Sequence, residues 1–139
     1  MKILWSVLII FCLFLFNSCK DNSSPTSSGG IGGVGGGGGG TGGVTFTITI
    51  QAGTQGGVFF YISPSQAVTV KTINISCTAA QVNDPYTDNT NQVYPANTPQ
   101  KLNQEYLVST GQKWVFTFTG NLGSSTGTAY NGTTTYTIP

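Results

Sequence analysis

A chain of 139 residues without a single histidine has a narrow chemical repertoire. Serine and cysteine nucleophiles activated by histidine are removed, and so are histidine-bearing zinc sites. Of the three cysteines, Cys12, Cys19 and Cys77, only Cys77 lies in the part of the chain patterned to fold, and one thiol cannot build a thiolate metal site. Paired carboxylates can cleave glycosidic bonds. The carboxylates on offer in the patterned part are Asp84, Asp88 and Glu105, and two of these fall in an Asn/Pro-rich stretch with no apolar pocket to raise a pKa. A small carboxylate-based enzyme is therefore the least favoured reading, and the chain reads as a non-enzyme. The same stretch, "NDPYTDNTN" (Asn83–Asn91), gathers Asp84, Asp88, Asn89 and Asn91, oxygen donors of the kind calcium takes. Their spacing is not that of an EF-hand loop, and Asx-rich turns spend such side chains on their own backbone. They stand as a calcium candidate beside that plainer reading. No cofactor motif is present.

The aromatic residues offer a different chemistry. In "VFFYIS" (Val58–Ser63) both faces are apolar, with Val58, Phe60 and Ile62 on one and Phe59 and Tyr61 on the other. If the first set faces a core, Phe59 and Tyr61 point outward. Tyr86 and Tyr94 then either pack back over them or join them in an exposed patch suited to a sugar ring or a protein partner. Charge adds little to partner choice. Charged residues make up 6% of the chain and its net charge is +1, so no basic face exists for nucleic acid.

These residues sit on elements with a two-residue period. "VTFTITIQ" (Val44–Gln51) alternates Val44, Phe46, Ile48 and Ile50 against threonines, the pattern of a half-buried strand. Val58–Ser63 follows, closed by Pro64. Ala67–Thr78 slips phase near Lys71-Thr72, which predicts a bulge or a strand crossing between sheets. Cys77 occupies an apolar position there and reads as a small buried hydrophobe. Ala79–Lys101 reads as one long irregular stretch, long enough to be functional. Gln104–Ser109 and Gln112–Thr119 are the next strands, the second carrying Trp114, Phe116 and Phe118 on one face. A short strand near Thr126–Tyr130 is expected to meet Thr133–Ile138 across an Asn131-Gly132 hairpin turn. About seven short strands and no 3.6-residue period predict an all-β fold, a single antiparallel two-layer β-sandwich over residues 44–139. The pattern resembles immunoglobulin-like and fibronectin type III-like domains, without the inter-sheet disulfide of true immunoglobulins. "TTTYTI" near the chain end has neither Lys nor Pro before Pro139 to blunt pairing and is the candidate free edge.

The N-terminus supplies an address. Met1-Lys2 precedes an apolar stretch, Ile3–Phe16, shorter than the ~20 residues of a spanning helix and suited to a signal-peptide core. "FNSC" (Phe16–Cys19) resembles the lipobox of bacterial lipoproteins. Ser18 and Cys19 match that pattern, and Asn17 departs from its small-residue preference. The resemblance implies a signal peptide over residues 1–18 and a Cys19 that begins the mature chain and carries the lipid, a palmitate-type anchor. "CKDN" further resembles the surface-export signal of Bacteroidota lipoproteins, which implies an outer-membrane protein facing the cell exterior. An ordinary secretory signal, leaving Cys19 a free thiol, is the alternative. With Cys19 lipidated, Cys77 has no disulfide partner. Residues 19–43, nearly pure Gly/Ser/Thr, then form a flexible tether with an average span of ~27 Å at roughly 5–6 Å × √n. The glycine run lacks the Lys-Ser/Thr of a phosphate loop.

The expected function is thus a tethered, membrane-anchored surface module that binds a glycan or protein in an adhesion-like role. Because the chain ends just after its last expected strand, any partner is expected to act in trans. A structural subunit assembling through edge strands is the alternative.

Overall fold

Alternation of apolar and hydroxyl side chains patterns several elements of the computed structural model, which describes residues 43–139. The expected signal peptide, Cys19 and the tether up to residue 42 lie outside the described residues. Eight strands follow in order: β1 (Phe46–Ala52), β2 (Val58–Pro64), β3 (Val68–Cys77), β4 (Val82–Thr87), β5 (Val93–Tyr94), β6 (Gln100–Tyr106), β7 (Lys113–Leu122) and β8 (Ala129–Thr137). A 3₁₀ turn, Thr78–Ala80, links β3 to β4, and the described residues hold no α-helix.

All pairings are antiparallel, and the strands form two sheets. One has the order β1-β2-β6; the other runs β4-β3-β7-β8, with β5 pairing β3 beyond the end of β4. The fold is a two-layer antiparallel β-sandwich, broadly immunoglobulin-like or fibronectin type III-like. In the constant-type immunoglobulin arrangement the fourth strand joins the first sheet; here β4 stays beside β3.

Between the sheets lies an aromatic core. Trp114, Phe116 and Phe118 of β7 and Phe60 of β2 are fully buried. Phe60 packs on Trp114 and Phe116 with ring centroids 5.1 and 5.0 Å apart. Phe46 stacks on Phe118 at 3.9 Å. Cys77 is buried, as its strand position predicts.

The bulge expected near Lys71-Thr72 is present: the β3–β7 register shifts between Val70 and Thr72. Gly120 sits opposite, and a Cβ there would overlap the Thr69 carbonyl oxygen and crowd the Tyr130 ring. The bulge is thus possible only because residue 120 has no side chain.

Three expectations need correction. Asn131 and Gly132 do not turn the chain; they lie inside β8, paired with Thr119 and Phe118 of β7. The local Asn-Gly preference loses to an uninterrupted ladder, and the turn falls earlier, where Gly123 adopts φ +67° and Leu122 donates to the Thr128 carbonyl at 2.9 Å. Residues 79–101 are not one irregular loop, because β3 templates β4 and β5 along its free side. Asn, Asp and Pro are poor strand formers, but β4 is an edge, where Pro85 can face Asn74 without breaking a central ladder. Finally, the strand expected at Gln104–Ser109 begins earlier, at Gln100.

Candidate functional site

The two sheets close on one side and part on the other. Between β4 of one sheet and β6 of the other lies a cleft of about 260 Å³. Its floor is Ile73 and Ile75 of β3, core positions that are themselves almost wholly buried. Asp84, Pro85 and Tyr86 form one wall, and Leu102, Asn103 and Gln104 the other. The second wall exists because β6 uses all of Gln100–Tyr106 to pair with the shorter stretch Val58–Ile62 of β2. Phe59 pairs with Glu105 but Tyr61 with Lys101, so extra β6 residues bulge out opposite Phe60.

Hydrogen bonds to aspartates hold both ends. The Tyr106 hydroxyl donates to Asp84 Oδ2 at 2.6 Å, tying β6 to β4 across the layers. Burial, then this hydrogen bond, pushes the Tyr106 pKa up. At the other end Asp88 extends β4 by donating its N–H to the Lys71 carbonyl at 2.9 Å. Its side chain is 6% exposed. Asp88 Oδ1 accepts from the Thr90 N–H at 2.8 Å and from the Thr90 hydroxyl at 2.6 Å, and Oδ2 accepts from the Tyr94 hydroxyl at 3.3 Å. The Thr90 hydroxyl, then the Thr90 N–H, holds the Asp88 carboxyl below its ordinary value against the opposing effect of burial. Tyr94 is pushed up to about 12, first by burial and then by the Asp88 charge.

These contacts decide what the calcium candidates do. Asp88 spends both carboxylate oxygens on Thr90 and Tyr94, closing the turn that returns the chain to β5. Asp84 lies four residues earlier on the same edge, roughly 13 Å away at ~3.3 Å per residue. Asn89 and Asn91 are exposed, and Asn91 has a left-handed backbone, φ +56°. No group of three or more acidic or cysteine side chains able to hold a metal occurs among the described residues.

Glu105, the third carboxylate, faces the other way. Its Oε1 accepts from the N–H groups of Gln55 and Gly57, both at 2.9 Å, and Oε2 from Thr54 at 3.3 Å. The Gln55 bond is the first cause of its lowered pKa. Glu105 thereby fastens the β1–β2 turn, and the carboxylates weighed for paired catalysis each serve a separate part of the scaffold.

The four aromatics of the expected ligand patch fall into two pairs. Tyr86, 47% exposed, and the half-buried Tyr94 line the cleft. Phe59 and Tyr61 lie half-buried on the outward side of β2, opposite in phase to the buried Phe60 and Ile62. Lys101 Nζ sits 3.5 Å from the centroid of Phe59. The sequence missed Leu102, Asn103, Gln104 and the floor isoleucines as cleft residues. Only the β6 bulge brings the first three to the opening, and a bulge in a strand of mostly polar residues leaves no periodic signal.

No family model matches the chain, and neither a curated protein nor a solved structure matches it significantly.

Proposed function

We propose that this chain is a lipid-anchored module of the outer membrane, facing the cell exterior, whose sandwich binds a glycan or protein ligand without catalysing a reaction. The observation that carries the binding half is the β4–β6 cleft, where an exposed tyrosine and an apolar floor adjoin side-chain amides and a carboxylate. Small-molecule sites have that mixture, a mainly apolar concavity with a few placed polar groups. The anchoring half rests on the basic start, the short apolar stretch, Cys19 in its lipobox-like setting and the Gly-rich tether. Multiple acyl chains on one cysteine exceed the two signals needed for stable membrane attachment. Nucleic acid is not a partner in this reading, because positive and negative charges nearly balance.

Metabolic labelling with a palmitate analogue tests the anchor. Label should appear on the full-length protein and vanish in Cys19→Ser; an unlabelled, soluble wild type ends the proposal. Pull-down with the full-length protein tests the site: Tyr86→Ala should lose ligand and Tyr61→Ala should keep it.

Assembly through an edge is a second reading. β8 ends the order of its sheet and has no charged residue from Ala129 to Thr137, so nothing ionic discourages another strand. Sedimentation that shows concentration-dependent oligomers would favour it.

A further inference from the structure

The β4–β6 cleft has a composition that selects among ligand classes. Resting on the reading of this cleft as the ligand site, we infer that it takes the end of a neutral oligosaccharide.

Charge supplies the first argument. Asp84 is the carboxylate in the lining and Lys101 the cation. The ammonium of Lys101 is engaged over the Phe59 ring, on the outward side of β2, so the lysine presents its stem rather than its charge to the cleft. An opening with a carboxylate and no cation turned into it disfavours phosphates, sulfates and uronates, each of which would bring a second negative charge beside Asp84.

The arrangement along β4 supplies the second. Tyr86 stands opposite Ile73 and Asp84 opposite Ile75, so ring and carboxylate are consecutive on one side of the strand, about 6–7 Å apart. A pyranose is apolar on its C–H faces and hydroxylated around its edge. Stacked on Tyr86, such a ring turns its edge toward Asp84. That carboxylate gives one of its roughly four acceptor sites to Tyr106 and keeps the others for hydroxyl donors. Across the opening, Asn103 and Gln104 are exposed and each offers an amide donor and acceptor.

The third argument separates a saccharide from a peptide. An extended peptide would add to the outer edge of β6, yet β6 bulges at Leu102–Gln104 and flanks the bulge with Lys101 and Glu105. Bulges and edge charges are the features that make a strand a poor template for another. The volume agrees. At about 260 Å³ the cleft is slightly below the usual range of small-molecule sites, roughly 300–1,000 Å³, and suits a chain end rather than a protein face.

The test titrates the full-length protein in detergent micelles by calorimetry. The probes are neutral gluco-, manno-, galacto- and xylo-oligosaccharides, oligogalacturonate, and an array of unstructured peptides. At least one neutral oligosaccharide should bind, and Tyr86→Ala should weaken it roughly five- to tenfold, the loss of one stacking platform. Tyr61→Ala, on the outward side of β2 and outside the cleft lining, should leave the affinity within twofold. Thermal melts of both variants check that the fold is intact. Preference for oligogalacturonate, or neutral-sugar binding unchanged in Tyr86→Ala, overturns the inference. A peptide that binds and is lost in Tyr86→Ala overturns the saccharide while leaving the cleft a ligand site. Binding of no probe removes both.

Discussion

Where β1 comes up against β8, Phe46 stacks on Phe118, packs at 5.9 Å against Tyr130, and Val44 covers the side-chain-free Gly132. Where β4 faces β6, the layers are joined through the Tyr106–Asp84 hydrogen bond, and Tyr86 stands half in water. The two sides belong to the same pair of sheets and differ in what their edge strands can bury. β1 brings a strict apolar alternation. β4 brings Asn83, Asp84 and Pro85, which can satisfy an edge but cannot fill the space behind it. The closed side buries its edge strand in stacked rings, and the open side, where Tyr86 is exposed, is where we propose that a ligand binds.

The contrast breaks first on the closed side. Phe118→Ala should cost about 3–5 kcal/mol in urea unfolding, the range for truncating a buried aromatic. A loss under about 1 kcal/mol would mean that the rings around Phe46 do not seal that side. Trp114→Phe should cost much less than Trp114→Ala: both remove an indole N–H that is buried with no hydrogen-bond partner among the described residues, but only Phe keeps a ring in the core.

On the open side the effects shrink. Tyr106→Phe removes a hydrogen bond to a charged group and should cost about 1.5 kcal/mol. Combined with Asp84→Asn, the losses should be less than additive if the two side chains act as one tie.

Proton linkage gives a smaller signal with a fixed sign. The folded pKa of Asp88 is lowered, so its contribution is complete above the unfolded carboxylate value near 3.8 and is lost as pH falls through the folded one. Asp88→Asn should flatten that acid limb of the stability profile. Tyr94 works from the other end. Its folded pKa is raised to about 12 from 10.0, so its contribution is complete below pH 10 and is lost as pH rises toward 12. Absorbance titration should show several tyrosines that ionise late, because Tyr106, Tyr130 and Tyr136 are also pushed up, and Tyr94→Phe should lower that late fraction by one residue.

The smallest effect is the most informative. Tyr86→Ala should change stability by no more than about 0.5 kcal/mol, as for other exposed substitutions. A larger loss would mean that Tyr86 closes the sandwich rather than standing open to a ligand.

Much of this architecture is legible along the chain. The threonine alternation of β1 and the triple aromatic face of β7 identify half-buried strands without reference to any partner, because side chains of a strand alternate faces whatever it pairs with. The phase slip at Lys71-Thr72 locates the β3 bulge for the same reason. The cleft is less legible. Tyr86 and Tyr94 stand out as aromatics in a polar stretch, but their separation from Phe59 and Tyr61 depends on which sheet each strand joins.

Local sequence thus determined the fold class, the strand-rich core and the phase of its buried faces, all properties of a period-two pattern read over a few neighbours. Tertiary structure alone decided that Asn131-Gly132 runs straight inside β8, that residues 82–87 become a strand, and that β6 bulges to open the cleft. In each case a neighbouring strand, β7, β3 or β2, offers backbone hydrogen bonds that outweigh weak local preference, and the paired residues lie outside the few neighbours over which that preference acts.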